Sequence, residues 1–244
     1  MSNTPFCPQK RSHAPEELIS AVMAVPPKTS LRHAAQDAAK KAFVALYLQP
    51  TKPSTELLLV KYMAFLDPFF FFESLCQDVS LHVSQEDPLK PGRHGVFFSS
   101  RGEIRIFLNP KGGRRKLDDV LSTLIHEMVH AYLLIFSKKS LAKSPGELYA
   151  HDCHGVYWSG LFLSIVNVVR SWHPKLNTFV TRVKSKSSQK AEPNEKESLG
   201  LLTKKLTKLS LEEDNGAGGA GDGDEVDIER LFGVEHCSAH EEPY

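Results

Sequence analysis

The stretch LIHEMVHAYLLIF, residues 124–136, constrains this 244-residue chain more than any other. Together with Leu121, its apolar residues run nearly all the way round a helix, so the helix must be buried on most sides. Yet the same turns carry His126, Glu127 and His130 in the spacing H-E-x-x-H. Two imidazoles and a carboxylate are costly to bury without partners. Residues four apart on a helix stand about 40° apart around the axis, so the two imidazoles project side by side. They can then reach one ion at the roughly 2.0–2.1 Å that zinc requires. Glu127, about 100° round from His126, is placed to act as a general base on water rather than as a ligand. The competing reading is a pair of incidental histidines on a core helix. It leaves the buried polar groups without a reason to be there.

A zinc ion that does chemistry takes three protein ligands. The pattern H-E-x-x-H-x-x-G-x-x-H is excluded, because Leu133 and Phe136 occupy its later positions. Glu147 is a candidate from the segment around Pro145 and Gly146. The stretch AHDCHGVYW, residues 150–158, offers His154 at the entrance of a further helix, with His151 as its rival. Asp152 suits a helix cap or a partner for a ligating histidine. Cys153 is a further possible ligand, though a lone cysteine is more often a small buried apolar group.

The pattern along the chain predicts an α+β domain over residues 30–183. SLRHAAQDAAKKAFVALYL (30–48) reads as a helix capped by Ser30, and TELLLVKYMAFLD (54–66) as a second. SLHVS (80–84) alternates as a strand does. GVFFSSRGEIRIFL (95–108) reads as a hairpin turning at Ser99–Gly102, and its EIRIFL arm is a candidate edge strand for an extended substrate. A long helix follows from Leu117 to Phe136, with Asp118 and Asp119 favouring its dipole. Another covers about 155–171, and TFVTRV (178–183) reads as a short strand. The FFFF cluster at 69–72 belongs in a core. Residues 1–29, rich in proline and polar groups, read as a flexible arm. Residues 184–244 read as a disordered linker and an acidic, glycine-rich tail.

The four cysteines form no C-x-x-C pair, which argues against a disulfide framework and a cysteine-ligated zinc ribbon. No segment reads as a membrane span and the N-terminus has no signal-like apolar core. An intracellular protein without membrane attachment is expected.

HEMVHAY, a connecting segment, and then an H-G pair opening an aromatic-rich helix resembles the SprT-like zinc metalloprotease domain, the domain of the Spartan-like proteases of DNA–protein crosslink repair. The resemblance covers about residues 55–183. It implies a zincin-like fold: a small antiparallel sheet packed on helices, one of them carrying HExxH. It implies Zn2+ held by His126, His130 and His154, with Glu127 as catalytic base. It further implies cleavage of proteins bound or crosslinked to DNA, in the nucleus and also in the cytoplasm. Against this family pattern, residues 137–150 form an enlarged connection.

Basic residues flank the motif helix. Lys111, Arg114, Arg115 and Lys116 in KGGRRK suit electrostatic, sequence-independent phosphate contacts. Solvated loop charge and a nuclear-import signal are equally open readings. In the acidic tail, DEVDIERLF (224–232) is suited to strand addition on a ubiquitin-like modifier or another partner. A chromatin-associated, zinc-stabilised binding module without protease activity is the alternative from another function class.

Overall fold

A computed structural model of the chain describes residues 8–24, 30–49, 55–86, 93–108, 115–138 and 156–179. The elements among them are α1 (Pro15–Met23), α2 (Leu31–Leu48), α3 (Thr55–Phe70), α4 (Leu75–Asp78), β1 (Ser80–Ser84), β2 (Gly95–Phe98), β3 (Glu103–Phe107), α5 (Leu117–Phe136) and α6 (Val156–Ser171), with a 3-10 turn at Pro174–Leu176. The helices and a three-stranded sheet share one hydrophobic core, so the α+β expectation is met.

The axis of that core is α5. Every residue from Val120 to Leu133 is buried. β2 and β3 pack against it, as do α6, α3, α4 and α1. It is 20 residues long with an 18-residue window of mean hydropathy 1.3, long and apolar enough to cross a membrane, which corrects the expectation that no segment is. Of its most apolar window, 83% is buried inside the fold, so its apolarity is used in core packing.

The sheet order is β1-β3-β2, with β1 parallel and β2 antiparallel to β3. The sheet is therefore mixed, not antiparallel, and EIRIFL forms the central strand rather than an edge. Ile104 and Ile106 of β3 are fully buried. The hairpin fixes β2 against β3, but β1 could pair with either arm. It pairs with β3, so β2 and β1 become the edges. The hairpin turn needs Gly102, whose φ is +59°, because a Cβ there would stand 2.5 Å from the Asp78 carbonyl oxygen.

Part of the segment read as a flexible arm is structured. Pro15 opens α1 and Glu17 accepts a hydrogen bond from the Ala14 N–H at 3.1 Å. Leu18, Ile19 and Val22 are buried against α5 and α6. Ahead of α1, the N–H groups of Arg11, Ser12 and His13 donate to the carbonyls of Ile135 and Phe136 at 3.0–3.2 Å. The Lys138 N–H donates back to the His13 carbonyl at 2.8 Å. This strap satisfies carbonyls that the last turn of α5 would otherwise leave open. The apolar side chains were visible in ELISAVMAV, but proline and charge on either side masked them.

Elsewhere Ser30 caps α2 as expected, its Oγ accepting from the His33 N–H at 3.1 Å. α3 runs four residues past its expected end, through Pro68. Its Asp67 carboxylate then accepts from the N–H groups of Leu75 and Cys76 at 3.1 and 2.7 Å, which anchors α4 and the approach to β1. Burial pushes the Asp67 carboxyl up, although these hydrogen bonds oppose the shift. Phe70 and Phe71 lie in the core and Phe69 and Phe72 pack against it, as expected of the FFFF cluster. Thr178 and Phe179 lie in a turn, not in the strand expected over 178–183; residues 180–183 are outside the described residues.

Candidate metal centre

His126 and His130 lie on one face of α5, as their spacing requires. Their Nε2 atoms converge to 3.1 Å. Two nitrogens on one zinc, at about 2.05 Å and near the tetrahedral angle, stand about 3.3 Å apart. The pair thus has a separation that fits a shared ion. Glu127 Oε1 lies 3.8 Å from His126 Nε2. All three side chains are buried, and their candidate donor atoms fall within 4.8 Å of one another. Among the described residues this is the one cluster of His, Cys, Asp and Glu able to hold a metal ion.

Each wall of the site comes from a different element. On one side, the first turn of α6 brings Trp158 against both imidazoles. Its ring stacks on His130 at 5.2 Å and 27°, and meets His126 edge-on at 4.5 Å and 62°. Phe162, one turn on, stacks behind it at 4.9 Å and 11°. On the other side stands β2. A Cβ at Gly95 would lie 2.6 Å from Thr123 Cγ2 and 2.9 Å from Glu127 Oε1. Only a residue without a side chain lets the strand come this close to the glutamate.

Arg115 holds that strand in place. Its Nη2 donates to the Asp119 carbonyl and to Thr123 Oγ1, both at 2.6 Å. Its Nη1 donates to the carbonyls of His94 at 3.5 Å and Phe107 at 3.4 Å. The guanidinium therefore clamps the start of β2 and the end of β3 to the first turns of α5. Burial pushes its pKa down to about 10, with Asp119 opposing the shift. Burial, aided by Arg115, also holds the neighbouring His94 imidazole below its usual range. Arg115 was a candidate for phosphate contact; in the structure both of its Nη atoms donate to groups inside the fold. Lys116, the next residue, is exposed. Lys111 and Arg114 lie outside the described residues, as do His154, His151, Cys153 and Glu147.

Sequence reasoning therefore located His126, Glu127 and His130 together, gave Arg115 a different role, and missed Gly95, Thr123 and Trp158. Thr123 had a signal, since it stands four residues before Glu127 and shares its face. Trp158 was visible only as part of an aromatic helix start. No family model, no curated protein and no solved structure matches the chain.

Proposed function

We propose that this chain is a zinc-dependent metalloendopeptidase of the SprT-like type, acting on proteins bound or crosslinked to DNA. One observation carries the reading: the Nε2 atoms of His126 and His130 converge to 3.1 Å with Glu127 beside them on a single buried turn. These two histidines would hold the ion, and His154, supplied by the family resemblance, would complete three protein ligands. When bound, zinc supplies a Lewis acid that polarises a peptide carbonyl and makes water more acidic. Glu127 takes the proton of the attacking water and hands it to the leaving amine nitrogen. Its burial limits competition from bulk water. β2 is an edge strand beside Glu127, so the role of holding an extended substrate passes to it from EIRIFL. For DNA, Lys111, Arg114 and Lys116 remain the proposed phosphate contacts, with the nucleus as the compartment.

The test is cleavage of a DNA-binding protein by the full chain, with and without single-stranded DNA, beside Glu127→Gln. Cleavage lost in the variant while zinc content is unchanged supports the assigned base, and a requirement for DNA supports the substrate class. If neither protein cleaves while both hold zinc, the chain is a zinc-stabilised binding module and the protease reading falls.

A further inference from the structure

A histidine that ligates a metal is usually held in plane by a hydrogen bond from its second ring nitrogen to a carboxylate, a carbonyl or water. Here an aromatic plate lies against both candidate ligands. Trp158 contacts His130 face-on and His126 edge-on, at 5.2 and 4.5 Å between ring centroids. The plate itself is immobilised. Phe162 stacks on it nearly parallel, Trp158 is 2% exposed, and Phe162 is fully buried. The indole thus leaves either imidazole less room to turn about its Cβ–Cγ bond. The two Nε2 atoms are thereby kept pointing at one place, 3.1 Å apart.

We propose that Trp158 is a positioning residue of the metal centre: it restrains the ring planes of His130 by stacking and of His126 by an edge contact and so preorganises both nitrogens before an ion arrives. The inference rests on the metal reading given above and adds the residue that sets its geometry. Preorganisation of this kind shows in metal affinity, because a ligand already in its bound rotamer loses less freedom on binding. A flat aromatic ring at position 158 should preserve it, and a branched aliphatic side chain should not.

The experiment uses the full chain as wild type, Trp158→Phe and Trp158→Leu. Zinc dissociation constants are measured by chelator competition, the visible absorption spectrum is recorded with Co2+, and thermal stability is measured without metal. Zinc binding by Trp158→Leu should be weaker by about tenfold to a hundredfold, the range for residues that orient metal ligands. Its Co2+ bands should shift, and Trp158→Phe should restore most of both. Loss of metal-free stability in Trp158→Leu with wild-type zinc affinity and Co2+ spectrum would show an indole that only fills the core, which overturns the proposal. Should Trp158→Leu fail to fold, Trp158→Phe decides: retention of near wild-type affinity and spectrum supports stacking, and loss of both overturns it. A wild-type chain that binds neither ion overturns the metal centre itself, and this inference with it.

Discussion

Gly95 and Glu127 stand so close that a Cβ on the glycine would lie 2.9 Å from the carboxylate oxygen Oε1. The same Cβ would lie 2.6 Å from Thr123 Cγ2, on the preceding turn of α5. Gly95→Ala should therefore cost about 1–3 kcal/mol of stability, the range for overpacking a filled site. It should also displace Glu127 and lower any peptidase activity. Thr123→Ser removes the crowding methyl while keeping the oxygen that Arg115 donates to. Added to Gly95→Ala, it should recover part of the lost stability in urea unfolding, the contact with Glu127 remaining. Strictly additive losses in the double variant would show that the two residues are not in conflict.

Leu18 gives a second test. Residues 1–29 read as a flexible arm, for which truncating one leucine would change nothing. In the structure Leu18 is fully buried on α1. Leu18→Ala should lower the stability of the whole domain by about 2–5 kcal/mol, as core truncations do. An unchanged urea midpoint would return the segment to the status of an arm.

Alkali offers a third. Burial pushes the Tyr47 phenol up to about 12, helped by the hydrogen bond it donates to Asp118 at 2.9 Å. Burial also raises Tyr62 and Tyr132. A folded pKa above the unfolded value contributes stability that is complete below the unfolded pKa and is lost as pH rises through the folded one. These tyrosines should therefore leave stability unaffected up to pH 10 and erode it between 10 and about 12. Phenolate absorbance and urea midpoints, measured together at pH 10 and at about pH 12, check the window. Tyr47→Phe should make the decline shallower, and a decline that begins well below pH 10 would contradict this account.

The parts legible in the sequence were those with strong local signals. Leu117 and Phe136 bound the motif helix as read, because an apolar pattern sustained over five turns fixes its extent. SLHVS and the hairpin were read correctly for the same reason: strict alternation and a turn at Ser99–Gly102. What failed depends on partners distant in sequence. No local pattern says whether SLHVS pairs with the first or the second arm of the hairpin, so the central place of β3 was hidden. Arg115 looked like every other basic residue in KGGRRK until the carbonyls around it were known. Trp158 was legible only as part of an aromatic helix start; the packing of α6 on α5 shows that it faces the two histidines.

The strap at residues 11–13 has a consequence for how the chain is made. Its hydrogen-bond partners, Ile135, Phe136 and Lys138, lie more than a hundred residues further along. A nascent chain emerging from its N-terminus presents Leu18, Ile19 and Val22 long before α5 and α6 have been synthesised to receive them. Contacts of such long range close late and slowly, because the intervening chain must first be ordered. The apolar face of α1 thus lacks its partners until α5 and α6 have been made, the condition under which a folding chain is prone to aggregation and most in need of a chaperone.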